Sequence, residues 1–414
     1  MTGIISFSHN SRSVLAVSFA DLVRTLGRSS SVILLPIYFL IDRHASYILI
    51  GVVIAASYLL TAPFGIMGGA LADRVGRRPL FTILPLLSAF VFILMSIEIF
   101  TRAPLLMLFT TFLFTSPIGS LQGTVDSAVL SDLTSPDERT KAFSVLRLAS
   151  NVGFSLGPAL GGLVSVVGYG ILMLIPAIGN IVEEAVYIML VKETLPRKES
   201  ANPAVTSLRR AMIAFPSSDR PFMIILGVMV IAQLCLGQWG TTLTLFLSSS
   251  YHLTAAQIGL MYSLNGAVVV IFQLPVNRLI GRFADINRLI AGVALYAISF
   301  FMFGIFSFYP LILTTAAILT IGENVYSPTA SALISKIAPP NRRGEYFGAY
   351  SAVSAFTAPM IVLFGSLLLT TLSGKPAVLW GIVAFLGLTA CLLLWRARKS
   401  IPQERLSEEV SLEL

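Results

Sequence analysis

The sequence predicts an all-α membrane protein: twelve transmembrane helices in two pseudo-symmetric six-helix bundles, with both termini cytoplasmic. Three observations carry this. Of 414 residues, 56% are hydrophobic and only 12% are charged, against about 25% charged in an ordinary soluble domain, which excludes a water-soluble globular fold. Apolar runs long enough to cross a bilayer, at about 20 residues each, recur twelve times. A segment of the first half is repeated in the second.

The runs are bounded by Gly, Pro or charge and cover 14–40, 46–72, 79–100, 104–131, 141–167 and 170–192, then 221–250, 255–280, 289–309, 311–335, 346–372 and 376–397. About a dozen polar or mixed residues, His9 and Arg12 among them, precede the first run, and no small-residue cleavage pattern follows it. The first helix therefore reads as a retained signal anchor. Between runs six and seven lies the one polar linker, rich in Pro and Ser, so the chain divides into a bundle over 1–192, a cytoplasmic linker over 193–220, a bundle over 221–398 and a cytoplasmic tail over 399–414. Little is left for an extramembrane domain.

Orientation follows from Lys and Arg, which accumulate in cytoplasmic loops. With the N terminus inside, the inner segments hold 22 of them and the outer loops only Arg43, Arg102 and Lys375. This topology accounts for the net charge of +8 without a nucleic-acid partner. Cys235 and Cys391 sit in apolar runs without metal-site or redox-pair spacing and read as packing residues. His9, His44 and His252 are scattered, so neither a catalytic triad nor a metal site is expected.

The repeat is direct. Ser127, Ala128, Ser131, Pro136, Arg139 and Phe143 match Ser331, Ala332, Ser335, Pro340, Arg343 and Phe347 at a constant offset of 204. A second echo sets Pro63, Gly69 and Asp73 against Pro275, Gly281 and Asp285 at an offset of 212.

The loop between runs two and three reads Gly69-Ala-Leu-Ala-Asp73-Arg74-Val-Gly76-Arg77-Arg78. Gly69 would let helices approach and Gly76 would make a tight turn, while the arginines can meet carboxylates or helix C-terminal carbonyls. This stretch resembles the G-x-x-x-D-R-x-G-R-R/K signature of the major facilitator superfamily at every position. The resemblance implies that superfamily's fold, with a substrate site at the midplane between two six-helix halves, and a conformational latch in this loop. The second copy keeps Gly281 and Asp285 but lacks the Gly-Arg-Arg ending.

Run five carries Gly153, Gly157, Pro158, Gly161 and Gly162. Glycines four residues apart line one helix face and admit a neighbouring helix. The pattern resembles G-x-x-x-G-P-x-x-G-G, which in the superfamily implies an antiporter. Ser155 also falls in a G-x-S-x-G match, but a nucleophile elbow needs a strand before it and this serine lies inside an apolar helix.

Each charge at membrane depth costs about 2.5–3.5 kcal/mol on insertion scales, so such residues should face a polar interior. Asp21, Arg24 and Arg28 share one face of the first run at i, i+3 and i+7. Asp126 and Arg147 flank the run four to run five connection at similar depth and are expected to pair. Glu183 and Glu184 are adjacent and cannot share a face, so one of them is expected to line the cavity. Glu323 lies thirteen residues before Lys336, about 20 Å along the helix and near the midplane, where a carboxylate can carry a proton near neutral pH. Its setting before Pro328 and Arg343-Gly344-Glu345-Tyr346 resembles the drug:proton antiporter branch.

One departure stands out. The R-x-x-Q-G signature of proton-linked members appears as Gly119-Ser-Leu-Gln122-Gly123: either Arg147 or Arg24 supplies the missing charge, or proton coupling differs from theirs. Gln233, Gln238, Trp239, Asn265 and Tyr326 offer a polar and aromatic wall to an amphipathic ligand.

The reading is therefore a secondary active transporter, not an enzyme: a proton-coupled antiporter exporting lipophilic or cationic small molecules by alternating access. Glu323 and Asp126 would couple to protons. An organic-anion carrier using Arg24, Arg28 and Arg147 is the alternative, and a membrane-embedded hydrolase a remote one. No cofactor is expected beyond the proton gradient. The expected partners are substrate, protons and the lipid bilayer, with no nucleic acid, for a monomer in the plasma membrane.

Overall fold

The computed structural model describes residues 11–191 and 215–398, the side chain of Pro136 aside. Most of the expected linker, the first ten residues and the expected tail lie outside the described residues. Every regular element among the described residues is helical.

Each expected run is occupied by helix. The first holds α1 (Ser11–Val32), the short α2 (Leu35–Ile37) and a π-turn over Tyr38–Asp42. Then follow α3 (Tyr47–Val75), α4 (Arg77–Phe100), α5 (Leu105–Leu113) with α6 (Thr115–Leu133), α7 (Pro136–Ser165), and α8 (Tyr169–Leu172) with α9 (Leu174–Leu190). In the second half come α10 (Arg220–Leu236), a 3-10 turn over Gly237–Trp239, α11 (Thr241–Ser250), α12 (Ala255–Ile280), α13 (Asp285–Ile305), α14 (Tyr309–Ile337), α15 (Arg343–Leu372) and α16 (Pro376–Ala397).

By length and composition, nine segments among the described residues can cross a membrane. The long helices that fall short are α1, α7 and α14. These carry Asp21, Arg24 and Arg28, then Arg147, Ser150 and Asn151, then Glu323 and Asn324, which lowers their apolarity.

The chain forms two compact units. One comprises Met1–Thr206 with Leu247–Gly266 and the other Ser207–Phe246 with Ala267–Leu414, in their described residues. The leading part of α12 thus belongs with the first six runs. In lipid the hydrophobic effect does not draw helices together, so packing at small residues has to.

In the first unit that packing centres on α1. A Cβ on Gly153, Gly157 or Gly161 of α7 would meet the α1 backbone at 2.6, 2.6 and 1.8 Å. On the other side, a Cβ on Gly27 would meet Pro176 Cα at 2.9 Å and one on Gly179 the Val23 carbonyl at 3.0 Å, so α9 closes on α1 as tightly. Another face of α7 meets the start of α12: a Cβ on Gly162 would lie 2.7 Å from Ala256 Cα, and one on Gly259 2.1 Å from the Pro158 carbonyl. Phe81 and Tyr187 stack obliquely within a core that includes Val14, Val17, Val125 and Val129.

In the second unit, Gly292 and Gly322 let α13 and α14 cross backbone to backbone, each virtual Cβ within 3.1 Å of the other's carbonyl. Trp380 of α16 lies parallel to Phe300 of α13, centroids 5.3 Å apart. Asp219 caps α10, accepting from Phe222 N at 3.3 Å and from the Tyr346 hydroxyl of α15 at 2.6 Å.

Candidate functional site

The signature loop folds as its residues dictate. Gly76 ends α3 and opens α4 with φ +100°, a conformation that favours glycine. Arg77 then turns inward, donating to the Ala72 carbonyl at 2.7 Å and contacting Asp73 at 2.8 Å and Asp132 of α6 at 3.1 Å. Arg74 is exposed. Gly69 is not where helices meet: a Cβ there would be 3.7 Å from its nearest neighbour, while Gly65 and Gly68 are the tight positions against α6, at 2.7 and 3.1 Å. The close-approach face lies slightly round the helix from the signature glycine. In the second half Asp285, the first residue of α13, contacts Lys336 of α14 at 2.6 Å and Arg288 at 3.2 Å.

The first unit's charges converge on one guanidinium. Arg24 contacts Asp126 of α6 at 2.8 Å, Glu183 of α9 at 3.2 Å, and Asp21 within α1. Ser150 of α7 donates to Asp21, and the Tyr187 hydroxyl donates to Asp126. Gln122 donates to Asn180 Oδ1 at 2.9 Å and to Glu183 at 3.3 Å. Glu184 is 5% exposed, and neither of its oxygens has a hydrogen-bond partner among the described residues.

This corrects the expected pairing. Arg147 is exposed and forms no ion pair among the described residues, and Asp126 pairs with Arg24 instead. Equal depth on a hairpin does not fix azimuth, and the α7 residue that turns to the cluster is Ser150. Of the two adjacent glutamates, both buried, Glu183 joins the cluster and Glu184 does not. Tyr187, Asn180 and Ser150 were not singled out in the sequence, although Asn180, Glu183 and Tyr187 stand at i, i+3 and i+7.

Beside the cluster lies a cavity of about 170 Å³, lined by Arg24, Arg28, Phe92, Gln122, Asn180 and Gly119, among others. Arg28 reaches Gly119 so closely that a Cβ there would sit 1.7 Å from its Nη1. The guanidinium nearest position 119 is thus that of Arg28.

In the second unit Glu323 is half-buried and interacts electrostatically with Tyr296 of α13. Its neighbour Asn324 is buried, its carbonyl accepting from Gln273 at 3.1 Å. Gln233 donates to Ser354 at 3.0 Å. Gln238 is fully buried, donating to the carbonyls of Leu234 and Ile361 and accepting from Thr242 at 2.7 Å, which makes it a clamp between α10 and α15. Tyr326 is buried with no hydroxyl partner among the described residues, Trp239 is half-buried, and Asn265 is buried in the first unit.

Ser155 lies in mid-helix, its Oγ 3.5 Å from the Ser263 carbonyl, and the Ser263 hydroxyl accepts from Ala159 N at 2.9 Å. It is a packing hydroxyl and not a nucleophile elbow.

A family model described as Major Facilitator Superfamily matches residues 17–309 and 232–413. The chain is 23% identical over 369 residues to a "Na(+), Li(+), K(+)/H(+) antiporter" of Planococcus maritimus, covering 81% of this chain and 86% of that one. It is 26% identical over 362 residues to "Tetracycline resistance protein, class D" of Salmonella ordonez, covering 85% and 88%. Its fold is similar to a crystal structure of the nucleoside transporter NupG, with TM-score 0.76, 14% identity, and coverage of 93% and 99%.

Proposed function

The chain belongs to the Major Facilitator Superfamily, a family of multi-pass membrane transporters and not of enzymes, and on that premise we propose that it is a proton-coupled antiporter exporting lipophilic or cationic small molecules by alternating access. The observation that carries this is the enclosure of Arg24 by Asp21, Asp126 and Glu183. One cation cannot balance three buried carboxylates, and excess buried charge is expensive. A proton is the smallest ion that reduces this excess. Asp126, buried within this enclosure beside Asp21 and Glu183, is the proposed acceptor, and Glu323 is a second one.

The direction follows from energetics. Inward movement of one proton yields about 2.3 kcal/mol per 100 mV, enough to drive a compound outward if protonation and substrate release are exchanged. The glycine face of α7 supports an antiporter, as do relatives named for cation/proton antiport and tetracycline resistance.

The test uses purified protein in liposomes with an internal pH dye, challenged with ethidium as a lipophilic cation. Wild type should show proton flux opposite to ethidium movement. Asp126→Asn and Glu323→Gln should each abolish that flux, and wild-type flux in both variants would refute the assignment.

A further inference from the structure

Arg28 differs from its neighbour one turn away. Its Nη1 donates to the Thr115 carbonyl at 3.1 Å and its Nη2 to the Ser116 hydroxyl at 3.3 Å, which engages two of the five donors of the guanidinium fork. Arg24 meets three carboxylates, whereas Arg28 meets no acidic side chain among the described residues. The ionisable groups that act on Arg28 are Arg24, another cation, and the Tyr58 phenol. A half-buried guanidinium without a counter-charge is an anion site by default.

The space beside it suits a ligand. The cavity of about 170 Å³ is close in size to the engineered cavity of about 150 Å³ that takes up benzene. Of its other polar groups, Arg24 is committed to its carboxylates, the Gln122 amide to Asn180 and Glu183, and the Asn180 amide to the Pro176 carbonyl at 2.7 Å, while the hydroxyl residues Thr25 and Ser88 complete the polar lining. Phe92 supplies an apolar wall. What remains is one guanidinium with no carboxylate partner among the described residues, beside an aromatic ring, the pairing that fits a carboxylate on a small ring, since the fork binds carboxylates through two parallel bonds. Gly119 holds the fork in place by leaving the room that any side chain would fill.

We propose that Arg28 and this cavity bind the carboxylate of a small aromatic acid, so that lipophilic monocarboxylic acids are among the compounds carried. Carriage rests on the transport reading above, but binding does not.

Equilibrium binding of radiolabelled benzoate to the purified full chain, with no gradient, tests it. Benzamide serves as the uncharged isostere and chloride as the inorganic competitor. Saturable benzoate binding is expected, with benzamide competing at least about tenfold less well. Arg28→Gln should weaken binding about tenfold or more, and Arg28→Lys by less. Gly119→Ala keeps the charge but displaces the fork and should also weaken binding. Only a flexible side-chain end must move in that variant, so it carries the test if Arg28→Gln does not fold. Absence of saturable binding, equal competition by benzamide, or wild-type affinity in the Arg28→Gln and Gly119→Ala variants overturns the proposal. Chloride displacing benzoate at equal concentration overturns the acid in favour of an inorganic anion. Loss of proton coupling in Asp126→Asn leaves this result intact, and failed benzoate binding leaves the antiport assay intact, so the two readings fail separately.

Discussion

Asp132 and Lys336 occupy the same place in the repeated segment of the two halves and carry opposite charges, and each closes an ion pair onto the first residue of a helix. Asp132 reaches Arg77 at 3.1 Å, where α4 begins, and Lys336 reaches Asp285 at 2.6 Å, where α13 begins. The duplicated bundle keeps the bond and reverses its polarity. Complementary charge is what both halves retain, and not a particular residue.

That relationship predicts the outcome of a swap. Lys336→Asp sets two carboxylates together and should lower the unfolding midpoint of the purified protein, while Asp285→Lys combined with Lys336→Asp should recover much of the loss. Asp285 is buried but the Lys336 side chain is 40% exposed, so the single change should cost about 1–2 kcal/mol, below the 3–5 kcal/mol of a fully buried pair. A double variant no better than the single one would show that the pair is incidental.

Helix contact predicts a graded glycine series. A Cβ on Gly161 would sit 1.8 Å from the Ser30 carbonyl, a backbone atom that cannot step aside, whereas Gly123 has open space. Gly161→Ala should therefore lose about 1–3 kcal/mol or fail to fold, and Gly123→Ala should unfold like wild type. Thermal unfolding followed by size-exclusion chromatography separates these outcomes.

Glu184 is a buried carboxylate whose oxygens lack partners among the described residues. Replacing it with Gln removes a group that burial makes costly to ionise and should raise stability by about 1 kcal/mol with little effect on coupling. Lost coupling in Glu184→Gln would place Glu184 in the proton path with Asp126.

Much of this architecture is legible in the sequence because bilayers enforce it. Long apolar runs fix where helices lie, and the glycine period of α7 announces a close neighbour. What the sequence does not reveal is azimuth. Depth alone made Arg147 the partner of Asp126, and only the packing of α1 against α7 and α9 brings Arg24 between the carboxylates. Gly69 shows the same limit, since the face that meets α6 runs through Gly65 and Gly68. Gln238, a plausible ligand contact by type, is instead fully buried in a helix clamp.

The Asp219 cap predicts a local effect. Asp219→Ala removes the acceptor for both Phe222 N and the Tyr346 hydroxyl and should cost about 1 kcal/mol or more. Tyr346→Phe should cost less, because the cap to Phe222 survives. Unfolding midpoints of the two variants in that order are the expected result, and the reverse order would show that the hydroxyl bond dominates.

The most direct test of the central claim is accumulation against a gradient. Proteoliposomes loaded at acid pH and diluted into alkaline buffer should concentrate tetraphenylphosphonium while the pH difference lasts, with the membrane potential clamped. Asp126→Asn vesicles should only equilibrate it. Accumulation by Asp126→Asn equal to wild type would contradict the account, because the carboxylate held by Arg24 would then have no part in coupling.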